Sequence, residues 1–276
     1  HFVNNITHFH RFLCVGPAAY TSYNAATTGA TSNLLSTVIG SNTATVAIWY
    51  DQSGNSYNAI QGISASQPEI INTGTIDLVN SLPSIKFNGN VWLVITSTAF
   101  NNDLSGSVVY NALNTNTQSG GSGPWYTMNG IFGAEQPGGT TDFGYGIYNN
   151  KFIAGNGPAD NSFAGNTIVN DGTTRVNSWA RTNSSGAITL FSAGLVDGSG
   201  TLNAGTRSAV TNLAIGAANY TGSPRFKGGI SEITVFPIVY TSTQRQTIEQ
   251  NQGVYYGVTI SRPPPTISSV TSSTSN

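Results

Sequence analysis

The chain is 276 residues long, enough for one large β domain or two small ones. Only 8% of its residues are charged and the net charge is −1, which excludes a strongly basic nucleic-acid surface and a polybasic face for anionic membranes. Hydrophobic residues reach 38% and aromatics 10%, enough for a sizeable core, yet no apolar run approaches the roughly 20 residues of a membrane span.

The surface must be built from Ser, Thr, Asn, Gln and Gly, a bias toward strands and loops over helices. The single cysteine, Cys14, forbids an intrachain disulfide. The chain starts at His1 with no Met, and so reads as a processed product or a part of a longer protein. Residues 1–30 have no clean period and read as an irregular N-terminal arm; its His8 and His10 form a His-x-His pair with no Cys or carboxylate support for a metal. Asn42–Tyr50 alternates and is rich in β-branched and aromatic residues, so it predicts a strand, closed by the turn residues 51–55.

Glu69–Asn72, Ser84–Asn88, Val91–Thr96, 107–113 and 125–134 follow as strand candidates, the last two separated by the Gly/Ser-rich segment 118–123. Phe143–Tyr148 alternates and turns at Asn149-Asn150 into Lys151–Ala154. Asn177–Thr182 and Ala187–Ala193 flank a second turn, and Leu213–Gly216 and Gly228–Pro237 finish the set. One short helix is predicted at about 242–251, capped by Thr241 or Thr243 with Gln244 or Gln246 as capping-box partner and Gly253 just past its end. Roughly a dozen short strands with one C-terminal helix predict an all-β, two-sheet antiparallel β-sandwich spanning 31–260. Residues 261–276, with three consecutive prolines and then Ser and Thr, read as a stiff linker or tail leading to a further domain or an anchoring partner.

Three groups of residues, in this order over about 40–260, resemble the laminin-G/concanavalin A-like jelly rolls of bacterial and viral surface proteins. They are Trp49-Tyr50-Asp51-Gln52-Ser53-Gly54-Asn55, Pro83-Ser84-Ile85-Lys86-Phe87-Asn88-Gly89, and Gly229-Ile230-Ser231-Glu232-Ile233 with the helix around Gln244–Gly253. The front half, Leu34-Leu35 and the WYDQSG run, is also similar to the β-sandwich domain of arabinofuranosidases. That family carries an adjacent cysteine pair in its active site, and this chain has only Cys14. The resemblance implies a module found in surface adhesins, on virions and beside glycosidases, and fold does not choose among these.

Candidate site residues follow from chemistry. Sugars are held by an aromatic face beside amides, which nominates Trp125, Tyr126, Tyr145, Tyr148, Asn149 and Asn150 for ligand binding, with Trp49, Trp92 and Trp179 assigned to the core. Asp51 and Asn55 are the candidate Ca²⁺ ligands, although the same residues make a self-satisfied turn. No Glu-x-Asp-x-Glu triplet is present, and Glu135 with Asp142 is the one nearby acidic pair in the aromatic middle that could serve a glycosidase. The leading expectation is a non-catalytic extracellular, cell-surface or virion-surface module for adhesion or glycan binding. Its partners would be glycans or neighbouring surface proteins, without nucleic acid or membrane insertion. A structural subunit of a capsid, fibre or sheath and an arabinofuranosidase-like glycoside hydrolase are the alternatives.

Overall fold

The computed structural model describes residues 7–15, 23–24, 41–116, 125–136, 142–157, 160–205, 211–219 and 225–261. Strands dominate them, and the named strands pair antiparallel throughout. At one end lies Leu195–Thr201, followed by Ala187–Ser192, Thr174–Arg181, Leu104–Ala112 and Lys227–Phe236. The far edge of Lys227–Phe236 is shared: its first residues pair with Ile85–Asn88 and its later ones with Thr7–Val15. Thr7–Val15 passes the ladder to Ala44–Asp51. From there it runs through Ala59–Ile60, Leu93–Thr96, Asn212–Ile215, Asn129–Gly133, Phe143–Tyr148 and Lys151–Asn156 to Asn161–Ile168.

The architecture is therefore one continuous antiparallel sheet curled almost into a barrel, where two separate sheets were expected. The difference arises at Thr7–Val15 and Ala44–Asp51, which carry hydrogen bonds from one layer to the other. Register shifts between Phe9 and Arg11 and between Leu13 and Cys14 bend the strand there. Part of the 1–30 arm, expected to be irregular, is thus built into the sheet. The two end strands meet without a ladder. Asp197 Oδ1 accepts from the Thr167 amide at 2.9 Å and its hydroxyl at 2.6 Å, and Asn166 Nδ2 donates to the Asp197 carbonyl.

Side chains on alternate positions of these strands fill one interior. Trp49, Phe87, Phe132, Phe143, Trp179, Ile233 and Val235 are buried there. Tyr145 stacks on Trp179 with ring centroids 4.5 Å apart, and Phe132 and Phe152 approach the same indole.

The helix Ser242–Tyr256 lies on the outer face of Leu104–Ala112 and Thr174–Arg181. Thr241 caps it, its side chain accepting from the Gln244 amide while Gln244 Oε1 accepts from the Thr241 amide. Gly253, expected just past the end, sits inside the helix, and Gly257 (φ 67°) supplies the left-handed cap instead. A Cβ at Gly253 would come within 2.3 Å of Ile260 Cγ1, so glycine is kept there by close packing. Thr241→Ala should lower the unfolding free energy by about 1 kcal/mol, read by urea denaturation.

Candidate active site

The strands Asn129–Gly133 and Phe143–Tyr148 pair with Gly133 opposite Gly144, and the Ala134 amide donates to the Phe143 carbonyl. Continuing that register sets Glu135 across from Asp142 where the two strands end. Glycines on this face let other backbone lie directly on the sheet. A Cβ at Gly130 would stand 2.0 Å from the Ala218 amide nitrogen, and one at Gly155 would stand 2.1 Å from Trp125 Cγ. Trp125, Met128, Tyr148, Ile153 and Ala218 accordingly form a second small apolar cluster over the sheet. Glu135 and Asn219 form a parallel bridge beside it.

Both acids are nearly enclosed, Glu135 at 7% and Asp142 at 4% exposure. Asn219 Nδ2 donates to Glu135 Oε2, and the Gln136 amide donates to Asp142 Oδ2 at 3.0 Å. Asp142 Oδ1 is buried with no hydrogen-bond partner among the described residues. Burial raises the Glu135 carboxyl above its ordinary range, opposed by the Asn219 hydrogen bond and reinforced by the charges of Asp142 and Asp160. Burial also raises Asp142, against the backbone donors of Gln136 and Gly157. A raised folded-state pKa means the ionised form is disfavoured by folding. The associated stability is full below the ordinary carboxylate range of about 4 and is lost as pH rises through the raised values. Glu135→Gln should therefore lose less stability than the parent between pH 4 and pH 7, measured by urea denaturation across that range.

The structure corrects several sequence expectations. Trp125 is fully buried over the sheet and Tyr145 is fully buried in the core, so neither offers a face to a ligand. Tyr148 is also buried, at 6% exposure. Tyr126, beside Trp125, is 38% exposed. Asn149 and Asn150 are exposed but serve as the two left-handed residues of the hairpin turn, with φ of 49° and 65°, and Asn150 Oδ1 accepts from Asn170. The ligand set is thus dispersed: only Tyr126 and the turn amides remain outside.

The Asp51 loop spends its carboxylate on itself. Oδ1 accepts from the Ser53 amide at 2.8 Å, and Oδ2 accepts from the Ser53 hydroxyl and the Tyr57 amide. Asn55 donates from its amide and Nδ2 to Ser53 Oγ. This is Asx-turn chemistry. Among the described residues no group of three or more His, Cys, Asp and Glu could hold a metal ion.

Sequence reasoning missed two positions. Trp92, expected in the core, is only partly buried and is stacked by the Arg225 guanidinium 4.1 Å above its ring. Its place just before the strand Leu93–Thr96, out of phase with buried Leu93 and Ile95, was a readable signal. Asn219 was not nominated.

No protein-family model matches the chain, and no curated protein matches it in sequence. Solved structures do share its fold. An arabinofuranosidase complexed with arabinofuranosyl-alpha-1,2-xylobiose aligns over 90% of this chain and 61% of its own, with TM-score 0.55 and 12% identity. The binding domain of Paraclostridial Mosquitocidal Protein 1 aligns over 74% of this chain and 49% of its own, with TM-score 0.53 and 10% identity. Trypanosoma rangeli sialidase in complex with sialic acid aligns over 75% of this chain and 31% of its own, with TM-score 0.51 and 14% identity. The chain thus spans less than two thirds of each of these three proteins. These likenesses show the fold alone: a β fold shared with an arabinofuranosidase, a sialidase and the binding domain of a mosquitocidal protein.

Proposed function

We propose that the chain is a glycan-binding module of a protein displayed outside the cell or on a particle surface, with its sugar held at Glu135, Asp142 and Asn219. One observation carries this reading: two nearly enclosed acids meet where their strands end, with Asn219 Nδ2 donating to Glu135 Oε2 and the Gln136 amide donating to Asp142 Oδ2. Carboxylates grouped with an amide are the polar groups that hold sugar hydroxyls. Tyr126 offers the partly exposed aromatic face that packs against sugar C–H groups. The laminin-G/concanavalin A-like class belongs to this proposal, as the motif resemblance suggests. Calorimetric titration of the ligands found in a glycan-array screen tests it, and Asp142→Asn should weaken binding about tenfold or more. A screen in which no glycan binds, or unchanged binding by the variant, contradicts the reading.

A second reading, glycoside hydrolysis, is favoured by the paired acids whose protons are both held above the ordinary range. The arabinofuranosidase likeness selects 4-nitrophenyl α-L-arabinofuranoside as the first substrate to try. Turnover by the parent that disappears in Glu135→Gln supports hydrolysis, and no turnover by the parent ends it.

A further inference from the structure

Arg225 and Trp92 form a unit that the acid pair does not use. The Arg225 guanidinium lies 4.1 Å from the Trp92 ring centroid. Both backbones are pinned by enclosed amides: Asn129 Nδ2 donates to the Arg225 carbonyl at 2.8 Å, and Gln61 Nε2 donates to the Trp92 carbonyl at 3.1 Å. Asn129 and Gln61 are themselves only 4% and 6% exposed. Arg225 also bridges Gly130 and Ala217 through its backbone.

The head group is thus fixed in place, yet it forms no salt bridge among the described residues, and its Nε is buried without a hydrogen-bond partner there. Burial lowers its pKa, the sign of a cation short of compensation. A planar guanidinium whose donors have no carboxylate partner among the described residues matches a carboxylate or sulfate better than any neutral group. Gly130, bridged to Arg225, lies five residues before Glu135, about 16 Å along extended chain.

We propose that Arg225, held over Trp92, is the recognition point for an anionic glycan substituent, either the carboxylate of a uronate or a sulfate ester. The inference rests on the glycan-binding reading and adds the class of sugar. The test is a titration of the full chain with methyl glucuronide, glucose 6-sulfate and methyl glucoside at fixed ionic strength. The readout is the fluorescence of Trp92, since the other three tryptophans are fully buried. One or both anionic sugars should bind about tenfold or more tighter than the glucoside, and Arg225→Gln should bring them down to its level. A preference for the glucuronide identifies the carboxylate, and a preference for the sulfate identifies the ester. Arg225→Lys, which keeps the charge and loses the fork, should recover only part of the difference and guards against a folding defect in the glutamine variant. Equal binding of all three sugars, or no effect of Arg225→Gln, overturns the inference. The glycan reading itself is then judged separately by Asp142→Asn.

Discussion

Glu249→Ala is expected to lower the free energy of unfolding by about 3–5 kcal/mol. Glu249 is 1% exposed between the helix and the sheet, where it accepts from Ser178 Oγ and from Arg245. Arg245 is 4% exposed, with its guanidinium 3.9 Å over the Phe191 ring. Removing the carboxylate leaves that cation buried without its counter-charge, which is the expensive half of breaking a buried pair. The helix has little apolar surface to fall back on, since its buried residues are Arg245, Glu249, Gln252, Gly253 and Tyr256. Gln252 extends the same polar seam, with Oε1 accepting from Ser107 and Nε2 donating to Glu232. Replacing both members of the pair with Arg245→Met and Glu249→Leu should restore most of the loss, because no charge is then stranded. Urea denaturation of the two variants checks this, and a loss below about 1 kcal/mol in Glu249→Ala would contradict a tightly held pair.

Trp179→Ala should cost a similar amount, about 3–5 kcal/mol. Its indole is fully buried among Tyr145, Phe132 and Phe152, and a Cβ at Gly106 would stand 2.3 Å from its Cζ2. Such tight surroundings cannot collapse into the space that alanine leaves. Trp179 Nε1 has no hydrogen-bond partner among the described residues, so Trp179→Phe forfeits volume but no polar contact and should cost clearly less. Thermal unfolding of both variants orders them, and equal losses would show that the site tolerates repacking.

The strands were legible wherever alternation and turn chemistry agreed. Glu69–Asn72 and Phe143–Tyr148 stand as read, and the Asn149-Asn150 turn adopts the left-handed pair that such a hairpin requires. The helix start was legible because Thr241 and Gln244 spell out a capping box, but its end was not. Gly253 signals a stop in sequence, and only tertiary contact with Ile260 explains why the helix passes through it. Asn161–Ile168 and Leu195–Thr201 were missed; both are end strands that meet through Asp197, and the inward positions of the first, Asn161, Phe163, Gly165 and Thr167, carry only one apolar side chain to mark the alternation.

The sheet's continuity was not legible either, since it depends on which strands share an edge. The site followed the same division. Glu135 and Asp142 could be nominated as an acidic pair, but their enclosure depends on Asn219 arriving from far along the chain. The aromatic platforms failed because ring count says nothing about which side of a strand a ring takes. Trp125 is buried by glycines that alternation cannot flag, and Tyr145 by the stacking demands of Trp179.

A crystal structure of the protein soaked with the tightest glycan from an array screen tests the account most directly. The account predicts a sugar hydroxyl within hydrogen-bond distance of the Glu135, Asp142 or Asn219 side chain. A sugar bound elsewhere, touching none of the three, would contradict it.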